Sequence, residues 1–343
     1  MIKKLIISRT DGIGDVVLTL PLAGLIKKLF PEVTVCFIGR SYTAPLISAC
    51  EHVDEFINWD EVSEYTQSHK IEFFTSLAAD AIVHVFPNKE LARLAKQCKI
   101  PLRIGTSHRF YHWWLCNRLV AVGRKNSPLH EAQLNVLLLK PLGVGPQSCD
   151  ELKTLMGITR VAKLEDSYSS LLDPKRFNLI LHPKSKGSAR EWGLENFSIL
   201  IRILDRERFK IFISGTAEDT KQLETLCEQW GDEITDISGK MSLAQFMAFM
   251  GRADGVVAAS TGPLHIAAAL GKVTVGLYAP MRPIHPGRWA PLGPRAGFLV
   301  EDKKCQLCRH DLRCACIESI KPADVVAKIS VLERLGSNGA ISF

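Results

Sequence analysis

Three loops in this chain gather the residue types that bind and transfer charged groups, and each lies between an apolar strand pattern and a helix pattern. The first is Ser8-Arg9-Thr10-Asp11-Gly12-Ile13-Gly14-Asp15. Gly12 and Gly14 let backbone come close to a ligand, and the helix start offers free N–H groups. Val17 stands where a dinucleotide fingerprint would carry its third glycine, and no Gly-Lys-Ser/Thr follows, so the loop is neither that fingerprint nor a P-loop. Asp15 opens the helix. An aspartate there serves as a plain N-cap, the simpler reading. A carboxylate held ionised by the helix dipole would also serve as a general base.

The second loop is His182-Pro183-Lys184-Ser185-Lys186-Gly187-Ser188-Ala189-Arg190-Glu191-Trp192. Lys184, Lys186 and Arg190 supply fixed positive charge and Ser185 and Ser188 supply hydroxyls, which is the chemistry that holds a diphosphate. A solvated basic turn is the bland alternative; the strand–loop–helix context favours phosphate. The third loop, Ser260-Thr261-Gly262-Pro263-Leu264-His265, places Thr261, Gly262 and the first helical amides where they could form a phosphate nest, with Pro263 suited to the first helical position. His265, on the first turn, is either a cleft residue or a satisfied structural histidine. A fourth feature, Cys305-x2-Cys308-x5-Cys314-x-Cys316, has the residues of a zinc knuckle. Its loop is very tight and has no second CxxC, so free thiols or a labile disulfide are favoured. No DxD-type acidic pair stands where it would hold Mg²⁺.

These loops need elements to position them. Short apolar strands alternate with amphipathic helices, which argues for parallel α/β sheets. In the first half the pattern predicts strands at 4–8, 34–38, 81–86 and 102–104 and helices at 15–29, 89–97 and 129–142. Ser167-Tyr168-Ser169-Ser170 and Asp173-Pro174 read as a linker. The second half predicts strands at 178–182, 210–214, 255–259 and 273–277 and helices at 194–205, 217–228, 243–250 and 263–270, with a closing helix at 323–335. The length of 343 residues suits two domains. A hydrophobic fraction of 46% with 23% charged residues is an ordinary globular composition, with no apolar run long enough to span a bilayer. The lysines before the first apolar run imitate a signal peptide, but Arg9 and Asp11 follow at once and the run is read as a strand.

The net charge is +7, and Arg93, Lys96, Lys99, Arg103, Arg109, Arg118, Arg124 and Lys125 form a dense basic stretch. This is a solvated face or a surface that meets anionic partners. No nucleic-acid-binding signature is present, so no nucleic-acid partner is expected. Cys36, Cys50, Cys98, Cys116, Cys149 and Cys227 are scattered, several of them in apolar patterns, and fit reduced core thiols in a reducing cytosol.

Taken in order, Gly12-Ile13-Gly14-Asp15, Ser188-Ala189-Arg190-Glu191-Trp192, Gly239-Lys240-Met241-Ser242-Leu243 and Ser260-Thr261-Gly262-Pro263-Leu264-His265-Ile266-Ala267-Ala268-Ala269 resemble glycosyltransferase family 9, the heptosyltransferases of lipopolysaccharide core assembly. His130-Glu131, at the start of a helix ending in Gly143, resembles the family's last N-terminal-domain helix. The resemblance runs over nearly the whole chain and implies a GT-B fold: two Rossmann-like domains facing across a cleft. An acceptor domain would span 1–166 and a nucleotide-sugar domain 175–322, with the helix at 323–336 packing back on the first. It implies an inverting, metal-independent transfer of heptose from ADP-heptose to a lipopolysaccharide core acceptor, with no separate cofactor. Asp15 would be the general base, Arg190 the phosphate-binding cation, and Lys184 and Ser185 near the phosphate contacts. Met241 would lie beside the adenine and Asp219 or Glu218 at the ribose. Gly14, Thr261, Gly262 and His265 complete the expected donor site. Domain closure would exclude water from the donor. Ser260 stands where many members carry aspartate, and Arg190 where several carry lysine. The implied location is cytoplasmic, peripheral on the inner face of the membrane that holds the lipid-linked acceptor. One rival is a family member using another nucleotide sugar for a different surface glycan. Another is a Rossmann-type oxidoreductase, which Val17 and the lack of an acidic residue after Ile38-Gly39-Arg40 argue against.

Overall fold

The computed structural model describes residues 2–125, 127–282, 284–301 and 314–337. The chain divides into two compact units, Met1–Arg160 and Val161–Phe343. In the first, six parallel strands form one sheet: β1 (Lys4–Ser8), β2 (Thr34–Gly39), β3 (Glu55–Asn58), β4 (Ala81–His84), β5 (Leu102–Thr106) and β6 (Arg118–Val120), in the order β3-β2-β1-β4-β5-β6. The second unit repeats the plan with β7 (Phe177–His182), β8 (Phe209–Ile213), β9 (Ile234–Asp236), β10 (Gly255–Ala259), β11 (Val273–Tyr278) and β12 (Ala296–Val300), in the order β12-β11-β10-β7-β8-β9. Counted from β7 this is the same 3-2-1-4-5-6 order, the doubly wound Rossmann topology. The fold class is therefore α/β, with two Rossmann-like units as in the GT-B class.

Helices cover both faces of such a sheet, so its central strands are continuous apolar runs. Leu5, Ile6 and Ile7 of β1 and Leu179, Ile180 and Leu181 of β7 are buried. The eight strands read from sequence are the eight inner ones. The four that escaped, β3, β6, β9 and β12, are the four sheet edges. They are partly exposed, and β3, β6 and β9, of three or four residues, lack the run that marks a strand buried on both faces.

Prolines split two expected helices. The span 15–29 is a short helix, Ile13–Val17, followed by Leu20–Leu29. Pro21 cannot donate to the carbonyl of Val17 and its ring conflicts with that turn, but it fits the first turn of the new helix. The span 129–142 is the helix Glu131–Leu137 and then a 3₁₀ turn, Lys140–Leu142, that contains Pro141 and ends at Gly143. The closing helix, Pro322–Ser337, belongs to the second unit. Its apolar stripe, Val325, Ile329 and Leu332, is buried in one core with Trp192, Phe209 and Val273, and Glu333 pairs with Arg208. The resemblance implies that this helix packs back on the first domain; its apolar stripe is taken up by the second unit's own core.

Among the buried histidines are His84 on β4, His112, and His182 at the end of β7. Burial pushes His84 down to about 3 and His182 down to about 4, and lowers His112. Such a group takes up its proton more readily once the chain unfolds, so its stabilising effect is complete above the unfolded value of ~6.5 and is lost as pH falls below it. Asp11, raised to about 6 by burial, acts in the opposite sense and offsets part of the loss. The melting temperature is expected to be level from pH ~8 to ~7 and to fall between pH ~6.5 and ~5. A melting temperature that holds or rises at pH ~5 would contradict this.

Candidate active site

In a doubly wound sheet the ligand crevice lies at the carboxyl ends of the strands, where neighbouring connections leave in opposite directions. In the first unit that point is between β1 and β4, and the residues leaving β1, 9–15, run through a short loop into the first helix turn. Arg9 is buried, which is costly for a guanidinium unless carboxylates surround it. They do. Its Nε donates to Asp11 Oδ1 at 2.6 Å, its Nη2 donates to Asp15 Oδ1, and its Nη1 donates to Glu131 Oε1 at 3.3 Å and Asn135 Oδ1 at 3.2 Å. Burial alone would lower the pKa of Arg9; the charges of Asp11, Asp15 and Glu131 outweigh it and raise the value.

Glu131 is fully buried and also accepts from Arg124 Nε at 3.1 Å. Asn135 accepts from Arg124 at 3.0 Å and donates to the Leu18 carbonyl at 3.0 Å, just where the first helix breaks. One polar network thus ties β1, the Leu18–Thr19 break and the helix Glu131–Leu137 together. Sequence reasoning missed Arg9, Arg124 and Asn135 as site residues. The available signal was a cation directly after a buried strand and a carboxylate at a helix start more than a hundred residues away.

The structure also corrects the capping reading of Asp15. The N-cap of the helix is Gly12, and Asp15 lies inside the first turn. A five-residue helix has little dipole; the partner that holds the Asp15 carboxylate is Arg9. Because Oδ1 takes that bond, Oδ2 is left toward Gly12, where an added Cβ would lie 3.2 Å from it. Glycine at position 12 keeps that oxygen uncrowded. Gly14 stands in the same turn.

In the second unit the crevice lies between β7 and β10. The β7 loop is stapled by Glu191, which accepts from Lys184 Nζ at 2.5 Å and from the Ser185 amide at 3.0 Å. The Ser185 hydroxyl donates to the Ala189 carbonyl at 2.9 Å. Lys184 and Ser185 therefore hydrogen-bond within the loop that the sequence places near the phosphate contacts. Lys186 has a left-handed backbone (φ 48°) and pairs with the exposed Glu218. Arg190 is half-buried at the loop's end, beside Trp192, whose indole is anchored to the Ile320 carbonyl at 2.9 Å. His182, neutral because of its burial, is hydrogen-bonded to Ser214 at 2.9 Å and ties β7 to β8.

The β8 loop turns on Asp219, whose Oδ2 accepts from the Thr216 amide and hydroxyl, both at 2.8 Å. Asp219 is buried, so of the two acidic candidates Glu218 is the open one. The β9 loop packs onto this turn: Gly239, at φ 66°, donates its amide to Gly215, and a Cβ there would fall 2.8 Å from Ala217. Met241, two residues further on, is half-buried. After β10, Thr261 is the N-cap of the helix Gly262–Ala269, with Pro263 in its first turn and His265 buried one turn in. The Thr261 hydroxyl is buried and has no hydrogen-bond partner among the described residues. Such an atom asks for a ligand. Of the cysteine cluster, Cys314 and Cys316 are buried in the second unit's core, while Cys305 and Cys308 lie outside the described residues.

The Arg9 network predicts a stability effect. Arg9→Met removes the shared counter-ion of Asp11, Asp15 and Glu131 and should lower the unfolding free energy by about 3 kcal/mol in denaturant titrations. A loss below ~1 kcal/mol would show that the network is not what holds this end of the sheet.

Comparisons with known proteins agree with this architecture. The model of glycosyltransferase family 9 (heptosyltransferase) matches residues 90–316, a span that contains every second-unit candidate but not Asp15. The lipopolysaccharide core heptosyltransferase OpsX of Haemophilus influenzae is 24% identical over 347 residues, covering 97% of this chain and 95% of its own. Lipopolysaccharide heptosyltransferase 2 of Escherichia coli is 21% identical over 300 residues, 82% of this chain and 84% of its own. Among solved structures, the E. coli ADP-heptose lps heptosyltransferase II aligns with a TM-score of 0.76 at 18% identity, covering 98% of this chain and 99% of that one. The E. coli heptosyltransferase WaaC with ADP aligns at 0.69 and 16%, covering 96% and 99%. The structural likeness is one of fold; the family match, over about two thirds of the chain, shows that this protein belongs to glycosyltransferase family 9, the heptosyltransferases, and is a glycosyltransferase.

Proposed function

We propose that this enzyme transfers a heptose from ADP-heptose to a lipopolysaccharide core acceptor in a single inverting displacement that uses no metal ion. The observation that carries the reading is the order of loops along the carboxyl edge of the second sheet. Met241 follows β9, Glu218 and Asp219 follow β8, Lys184 to Arg190 follow β7, and Thr261 to His265 follow β10; those strands are neighbours in that order. In this reading adenine, ribose and diphosphate would meet these loops in the sequence in which a nucleoside diphosphate presents them. Three interstrand steps of about 4.8 Å give an edge roughly 14 Å long. The relatives bear names that point the same way, one as an ADP-heptose lps heptosyltransferase and another solved with ADP.

The chemistry follows from the residues. The acceptor hydroxyl attacks the anomeric carbon while the bond to the diphosphate oxygen breaks on the opposite face, which inverts the centre. The hydroxyl proton passes to Asp15 Oδ2, the oxygen left over by Arg9. Charge building on the leaving diphosphate is met by the Arg190 guanidinium, the Thr261 hydroxyl and the first amides of the helix Gly262–Ala269, all supplied by the chain itself. No separate cofactor enters. Family membership sets the oxidoreductase reading aside. Among the described residues no helix is long and apolar enough to cross a membrane. The proposed place of work is the cytoplasmic side of the membrane, at its surface, on a lipid-linked saccharide.

Asp15→Asn keeps an acceptor for Arg9 but not a base. Transfer should fall at least ~100-fold while ADP binding is unchanged; near wild-type turnover would remove Asp15 as base. Thr261→Val should leave thermal stability level or improved, since it deletes an unsatisfied hydroxyl, yet weaken ADP binding by about 1.5–3 kcal/mol. Unaltered affinity would take Thr261 out of the donor site. Activity should survive EDTA, and strict dependence on added Mg²⁺ would overturn the metal-free mechanism. A donor screen in which another nucleotide sugar outperforms ADP-heptose would keep the transferase and replace its sugar.

A further inference from the structure

We propose that the segment between β5 and β6, with the helix Lys89–Gln97 beside it, is a docking surface for an anionic lipid bilayer. In a folded protein large aromatic side chains are normally covered, but here Phe110, Trp113 and Trp114 are 78%, 62% and 55% exposed, side by side in one stretch. The exposure is built in. In the short helix His112–Leu115 the buried residue is His112, which is bonded to the Thr106 carbonyl at 3.1 Å and lies against the ring of His84 at 5.6 Å. With His112 turned inward, the next two positions must face out. They are held there: Trp113 donates its indole N–H to the Ser107 carbonyl at 3.0 Å, and Phe110 meets Trp114 edge to face at 4.3 Å. The rings thus present apolar faces while the indole of Trp113 is already satisfied, which suits a membrane interface.

Charge completes the surface. Residues 93–125 carry eight lysines and arginines and no aspartate or glutamate, against a net charge of +7 for the whole chain. Lys89, Arg93 and Lys96 stand at i, i+4 and i+7 on the exposed face of the helix Lys89–Gln97, whose opposite face, Leu91, Ala92, Leu94 and Ala95, is buried. Lys96 donates to the Trp114 carbonyl at 2.8 Å and so ties the basic stripe to the aromatic cluster. Arg109 and Arg118 are exposed on either side of the rings. Aromatic wedges with cations around them match a bilayer whose headgroups are negative, the rings entering the interfacial layer and the cations holding the phosphates. A neutral apolar partner would leave these charges without a function. This is a statement about lipid, and it stands or fails without the proposed donor or acceptor.

The full chain, with no nucleotide present, is mixed with vesicles of phosphatidylcholine containing about a third phosphatidylglycerol and with pure phosphatidylcholine vesicles. Binding is expected to the anionic vesicles, to weaken with salt, and to shift tryptophan emission to the blue. Replacing Phe110, Trp113 and Trp114 together by Ser should lower partitioning about tenfold or more, and Lys89→Glu with Arg93→Glu should remove the salt-sensitive part. An unchanged melting temperature and ADP affinity would show that the variants are folded. Failure to bind anionic vesicles, or equal binding by the triple variant, overturns the proposal. So does concentration-dependent self-association that the triple variant abolishes without lipid, which would assign the surface to a second copy of the chain.

Discussion

A parallel sheet cannot turn back on itself with a tight hairpin. Each strand must be followed by a crossover, and so every strand delivers its carboxyl end to the same edge. In both units of this protein six strands obey that constraint through five connections, in the same 3-2-1-4-5-6 order. The loops that carry charge and hydroxyls, 9–15 after β1, 183–193 after β7 and 260–262 after β10, all start from strands that flank the switch in strand order. Within each unit the scaffold therefore selects which loops lie at the switch, and the loop residues select what they can hold.

The two edges have been given different electrostatics. In the first unit a buried guanidinium organises the site. Arg9 is tolerable only because Asp11, Asp15, Glu131 and Asn135 enclose it, and they in turn are fixed by it. A carboxylate held in this way is oriented and has one oxygen left over. In the second unit the loops spend several polar groups on themselves: Glu191 on Lys184 and Ser185, Asp219 on Thr216. What remains for a ligand is narrower than the loop composition suggests, and Thr261, buried and without a partner among the described residues, stands out within it.

Much of this was legible in the sequence, for physical reasons. Inner strands of a parallel sheet are apolar on both faces, so β1, β2, β4, β5, β7, β8, β10 and β11 announce themselves, whereas the edge strand Glu55-Phe56-Ile57-Asn58 reads as a mixed segment. Helix periodicity finds the span 15–29 but not its break, because the apolar pattern runs on through Pro21 while the hydrogen-bond ladder does not. The loops that hold the candidate site were found from residue type and spacing. Their internal hydrogen bonds were not, since a bond such as Arg9 to Glu131 joins residues 122 apart and only the folded chain brings them together. The same holds for the last helix, whose stripe of Val325, Ile329 and Leu332 was evident while its partner surface was not.

The central claim is that the second unit holds an adenine nucleotide diphosphate along the edge formed by β9, β8, β7 and β10. Calorimetric titration of the purified protein with ADP, UDP, GDP and NAD tests it most directly. The account predicts that ADP binds selectively, with the other nucleotides at least ~10-fold weaker, a difference of about 1.4 kcal/mol. A preference for UDP or GDP, or no nucleotide binding, would contradict it.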